Sequence, residues 1–326
     1  MKFLATGAAG MLGSSLIPTL VRAGHEVVAT DIDLRAPAPW GAGFPTIDWL
    51  DVRERSVVDA AVAEVAPDMV LHLAAETSLE RSDEDQDHAW LTNTIATKYV
   101  AQACRRTGTP ITYISTAGVF DGTKTSGPYH EFDAANPINT YGASKYEGEG
   151  IVRETVEQHY VLRAGWMVGG GPGKDHKFVS RILEQLREGR TTLHAVGDKL
   201  GTPTYTADFA RCYLNLIGEA VPGLYHMACE GEGSRFDVAA RILELLGRDD
   251  VELVEVTSDF FAEEFPSERP RSEIMRNLTL DLQGMNLMRP WQDALADYLT
   301  RHYGDLVADG APIAAELDGD AVPAPA

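Results

Sequence analysis

Residues 2–24 read KFLATGAAGMLGSSLIPTLVRAG. A short apolar run ends at Thr6, glycines follow at Gly7, Gly10 and Gly13, and a helix-like apolar pattern continues to a stop at Gly24. The order predicts a strand, a tight turn and a helix. Glycines in such a turn let backbone N–H groups approach an anion, and the helix N-terminus adds a favourable dipole. GxxGxxG is a weak signal alone, and its place between strand and helix strengthens it. Gly7, Gly10, Met11, Leu12 and Gly13 are then the residues expected to cradle a pyrophosphate. One lysine and a short apolar run that passes straight into the turn read as a first strand, not as a signal peptide.

The pattern repeats outward from this unit. Strand-like runs recur at 25–31 (HEVVATD), 68–75 (DMVLHLAA), 110–116 (PITYIST) and 160–166 (YVLRAGW). Helical patterns separate them at 55–67 and 87–108. Strands joined by helical crossovers predict an α/β fold with a parallel sheet covered on both faces, the doubly wound Rossmann type. Residues 1–165 form the expected dinucleotide-binding domain, with part of 203–230 joining it. Residues 166–303 are less regular and read as a smaller, interleaved α+β substrate region. From Gly304 on there is no basic residue and much Ala, Asp and Pro, which reads as a disordered acidic tail. Deleting 304–326 is therefore expected to leave melting temperature and turnover nearly unchanged; a fall of several degrees would mean that the tail docks.

The second strand ends in Asp31, where a carboxylate can accept hydrogen bonds from the adenosine ribose. An acid there repels a 2′-phosphate, so NAD(H) is expected over NADP(H), with Arg35 nearby as the residue that could reverse this. Asp51 and Val52 fall where the adenine would lie. Ala74 and Ala75 end the fourth strand with small side chains that let a cofactor cross the sheet edge.

Acids outnumber bases 49 to 28, for a net charge of -21. Such a chain repels nucleic acid and anionic membrane, and neither is an expected partner. An anionic substrate would have to be held by a few local Arg or Lys groups. Three scattered cysteines with no CxxC pair suggest free thiols in a reducing, cytoplasmic setting and no metal site. No apolar run reaches membrane-spanning length. A homodimer is the protein partnership left open.

Residues 139–150 read NTYGASKYEGEG. At the start of a helix, Tyr141 and Lys145 lie one turn apart on one face. Thr140 is the expected N-cap, and Glu147 and Glu149 suit an early helix. An ammonium beside a phenol lowers its pKa and makes it a usable proton donor. The plainer alternative is an amphipathic helix with a half-buried tyrosine and a surface lysine.

The glycine turn, HLAA (72–75), ISTAGVFDG (114–122) and YGASK (141–145) together resemble the extended short-chain dehydrogenase/reductases, over residues 1–165. The resemblance implies a nicotinamide cofactor and a catalytic set of Thr116, Tyr141 and Lys145. Tyr141 would exchange a proton with a substrate oxygen. Lys145 would hold the nicotinamide ribose and depress the tyrosine's pKa. Thr116 would orient the same oxygen, a role Ser115 could share, and Asn93 would support the lysine through water. Further segments, among them VLRAGWMVGG, GDKLGTPTYTADFA and ERPRSEIM, resemble the dTDP-4-dehydrorhamnose reductase branch to about residue 285. That implies an NAD(P)H-dependent reductase of a nucleotide-linked 4-keto-6-deoxy sugar, with Trp166 walling the sugar and Arg269 meeting the diphosphate. The chain departs from that branch at Ala117, Gly118 and Glu76, which predicts an altered substrate wall. A sugar-nucleotide epimerase that retains its NAD, and a non-catalytic regulatory subunit, are the alternatives.

Overall fold

The computed structural model describes residues 1–34, 40–124 and 126–306. Arg35 and the tail beyond 306 lie outside the described residues. Seven parallel strands form the main sheet: β1 (Lys2–Thr6), β2 (Glu26–Asp31), β3 (Ile47–Trp49), β4 (Met69–His72), β5 (Ile111–Thr116), β6 (His159–Ala164) and β7 (Gly223–Met227). Their order is β7-β6-β5-β4-β1-β2-β3. Strands with both faces covered should be apolar throughout, and β1 and β4 are buried almost from end to end. Alternate residues serve opposite faces. Phe3, Ala5, Met69 and Leu71 enter one core with the helices Gly13–Arg22, Thr206–Glu219 and Trp291–Tyr303. Leu4 and Val70 enter the other, with Arg55–Val65 and Ala96–Thr107.

Segment 203–230 divides between the two regions. Pro203–Tyr205 pairs with Trp166–Val168 in a small two-stranded sheet. Helix Thr206–Glu219 then crosses to Gly13–Arg22, where Thr206 Oγ1 and Ser15 Oγ are 2.8 Å apart, and β7 completes the main sheet beside β6. The rest of the smaller region is built on short strands, Thr192–Val196 with Glu252–Val256, and Leu200–Gly201 between Gly233–Ser234 and Ser272–Glu273.

Two local features differ from the sequence expectation. The helix expected over 87–108 is interrupted by a π-helical turn at Leu91–Ile95, which carries Asn93. Such turns add a residue to the helical repeat and are frequent at functional sites. The N-cap of helix Thr140–Thr155 is Asn139, not Thr140: Asn139 Oδ1 accepts from the Gly142 N–H at 2.8 Å.

Candidate active site

Strand order reverses between β1 and β4, and open α/β sheets bind ligands at the strand carboxyl ends beside such a switch point. A cleft of about 1840 Å³ opens there and extends into the smaller region. Every residue that the sequence reading assigns to cofactor, substrate or catalysis lines this cleft, except Asn93.

The inner half has the glycine turn at its base. Gly7 has φ +67°, and a Cβ on it would stand 2.5 Å from the Ala74 nitrogen, so the turn can press against the end of β4 only without a side chain. No described side chain caps the helix that starts at Gly13, and the turn residues before it line the cleft, so its N-terminal dipole is directed there. Asp31 closes the turn: Oδ2 accepts from the Ala9 N–H at 2.9 Å and Oδ1 from the Asp33 N–H at 3.0 Å. Asp51 is paired with Arg53 at 2.6 Å, and that hydrogen-bonded guanidinium holds its carboxyl below the ordinary range. These residues fit a dinucleotide: an uncapped helix N-terminus for the phosphates, and a carboxylate at the end of β2 for a ribose.

The candidate catalytic residues Thr116, Tyr141 and Lys145 meet where β5 ends against helix Thr140–Thr155. Gly142 makes this approach possible, because a Cβ there would come 2.2 Å from the Gly118 carbonyl oxygen. Strand alternation separates the two candidate hydroxyls. Ser115 donates to Glu149, whose carboxylate also takes Arg163 at 2.8 and 2.7 Å in a fully buried ion pair. Glu149 is thus a core residue and not a partner of the helix dipole. Thr116 points the other way and lines the cleft with Tyr141, and its Oγ1 accepts from the Gly118 N–H at 3.1 Å. Lys145 is only 3% exposed, which rules out the surface-lysine alternative. Its ammonium lies 4.0 Å from the centre of the Tyr113 ring.

The electrostatics correct one expectation. Tyr141 is not depressed by Lys145; burial pushes its phenol up to about 12, the nearby Thr116 hydroxyl pulls against this, and Glu273 and Glu76 add to it. Burial lowers Lys145 to about 7, with Glu149 opposing. Asn93 is buried in the π-helical turn beside helix Thr140–Thr155. Its side chain accepts from the Glu76 N–H at 2.9 Å and donates to the Glu76 carbonyl and to Ser144 Oγ, both at 3.0 Å. It ties the segment after β4 to the helix that carries Tyr141 and Lys145.

In the outer half, the Trp166 indole packs over Gly201, where a Cβ would stand 2.2 Å away, and carries the Arg235 guanidinium 3.9 Å from its ring centre. Trp166 Nε1 donates to Glu273 Oε2 at 2.7 Å. Arg269 is ion-paired with Glu80 and donates to the Ser267 carbonyl at 2.8 Å, so it clamps the cleft wall instead of standing unpaired. Lys177, Lys199 and Arg235 join it on this wall, so cations are present there among the acids that also line it. Glu273 and Arg235 were assigned no role from the sequence: Glu273 lies within the ERPRSEIM segment but 107 positions from Trp166, and only the fold brings the two together. Of the three departures, Glu76 and Gly118 line the cleft, whereas Ala117 is 1% exposed and packs with Val119, Phe120, Tyr129, Ala228 and Met275. The altered-wall expectation fails for Ala117, because the turn after β5 directs that side chain into the core.

The chain matches the family described as RmlD substrate binding domain over residues 1–303. It is 32% identical over 298 residues to the spore coat polysaccharide biosynthesis protein SpsK of Bacillus subtilis, covering 91% of this chain and 96% of that one. A dTDP-4-dehydrorhamnose reductase structure from Clostridium acetobutylicum superposes with a TM-score of 0.82 at 33% identity, covering 92% and 99% of the two chains. Another from Bacillus anthracis, in complex with NADP, gives 0.80 at 29% identity with the same coverage. The chain belongs to the RmlD substrate-binding family of the extended short-chain dehydrogenase/reductases, which are NAD(P)-dependent oxidoreductases.

Proposed function

We propose that the protein reduces the keto group of a nucleotide-linked 4-keto-6-deoxy sugar of the dTDP-4-dehydrorhamnose type. The observation that carries this reading is the convergence of Thr116, Tyr141 and a buried Lys145 in one cleft, between the glycine turn and an outer wall that carries Lys177, Lys199 and Arg235. A reduced nicotinamide dinucleotide, when bound at the turn, supplies the hydride. Thr116 and Tyr141 hold the carbonyl oxygen, and the Tyr141 hydroxyl gives its proton to that oxygen as the neighbouring carbon is reduced. A phenol held near 12 stays protonated at neutral pH, which suits proton donation. Lys145 holds the ribose, and Lys177, Lys199 and Arg235 supply the positive field for the substrate diphosphate. The test is oxidation of reduced cofactor by dTDP-4-keto-6-deoxy sugars. An epimerase would instead retain its cofactor through desalting and consume none.

Asp31 favours NADH, since its carboxylate lines the cleft at the end of β2 and repels a 2′-phosphate. Asp31→Ala is expected to move the NADPH:NADH ratio of kcat/KM toward NADPH by about tenfold, the equivalent of 1.4 kcal/mol. A wild type that already prefers NADPH by that factor sinks this assignment.

A further inference from the structure

We propose that Glu273 is the substrate-orienting carboxylate of this cleft, accepting a hydrogen bond from the sugar hydroxyl next to the reacting carbonyl. The inference rests on the reductase reading above. One carboxylate oxygen, Oε2, is engaged by the Trp166 indole at 2.7 Å, which fixes the side chain against the ring expected to wall the sugar. The other, Oε1, faces a hollow over Gly118. A Cβ on Gly118 would stand 3.4 Å from Thr116 Oγ1 and 3.5 Å from Glu273 Oε1, so the two oxygens flank one small space that glycine leaves open. Thr116 is the group that positions the substrate carbonyl. A vicinal hydroxyl lies one hydrogen-bond length from that carbonyl oxygen, within the same space.

The charges support the assignment. Burial raises the Glu273 carboxyl, while the Trp166 hydrogen bond and the Arg235, Arg269 and Lys199 cations act against the rise. The carboxylate also acts on the Tyr141 phenol, as expected of a group at the reacting end of the cleft. The outcome is a specificity device. Glu273 is half-buried on the cleft wall, and an acceptor that a bound sugar covers without supplying a donor is costly, so a sugar lacking that hydroxyl is rejected.

The test is isothermal titration of the full-length protein, saturated with reduced cofactor, with dTDP, dTDP-L-rhamnose and the 3-deoxy analogue of the latter. Reduced cofactor and reduced sugar cannot react, so binding is read alone. The wild type should bind the hydroxylated sugar about 10- to 100-fold more tightly than the deoxy analogue, the range for a hydrogen bond to a charged group. Glu273→Ala should erase that difference and leave dTDP binding unchanged. Glu273→Gln, which keeps the shape and an acceptor for Trp166, should erase part of it with the Trp166 fluorescence unaltered, and it serves if the alanine variant fails to fold. Undiminished discrimination in a folded variant overturns the proposal, as does equal loss for all three ligands. A wild type that binds none of the three overturns the substrate reading and this inference with it.

Discussion

Tyr141→Phe is expected to lower turnover by about two to four orders of magnitude, the usual worth of a positioned proton donor. The ring and its packing remain, so folding and cofactor binding should be unchanged. Lys145→Met should behave differently. In the free enzyme the ammonium is lowered to about 7, so it is protonated below that pH and neutral above. The kcat/KM for the cofactor, which reports free-enzyme groups, should therefore fall as pH rises through about 7. In Lys145→Met it should be uniformly low and without that limb. The phenol near 12 predicts no tyrosine-dependent loss of reduction until strongly alkaline pH, in both the wild type and the lysine variant. Near wild-type turnover in Tyr141→Phe would end the catalytic reading of the YGASK stretch. A pH-independent cofactor kcat/KM in the wild type would remove Lys145 from ribose binding.

Ala117→Asp is expected to destabilise the fold by about 3–5 kcal/mol, through a buried carboxylate without a donor and overpacking of a filled cluster. The sequence comparison alone suggested that this change would only alter which sugar is used. The side chain instead sits among Val119, Phe120, Tyr129 and Met275, with the Phe120 and Tyr129 rings stacked at 4.1 Å. Urea unfolding measures the effect directly. A variant as stable as the wild type, with a changed sugar preference, would return Ala117 to the substrate wall.

The parallel sheet, the glycine turn and the pairing of Tyr141 with Lys145 on one helix were all legible in the sequence. Each is written in short-range periodicity: apolar runs of strand length, glycines at a strand–helix junction, and a spacing of four on a helix. These are local physical constraints that a few neighbouring residues satisfy by themselves. The choice between Ser115 and Thr116 was not legible, because strand alternation leaves two hydroxyls equivalent until the faces of β5 acquire neighbours. Only the folded chain gives one face the buried Glu149–Arg163 pair and the other the cleft. The same holds for the raised Tyr141 and lowered Lys145, since burial sets both and Glu273 and Glu76 add to the first, not the helical spacing. Glu273 beside Trp166 and Gly118 comes from residues far apart in sequence, joined by a strand of two residues, Ser272–Glu273, pairing with Leu200–Gly201. The sequence by itself determined which chemical groups the protein owns and which local elements carry them. The tertiary structure decided which of those groups face each other in a low-dielectric cleft, because long-range packing, unlike helical or strand periodicity, leaves no local pattern to read.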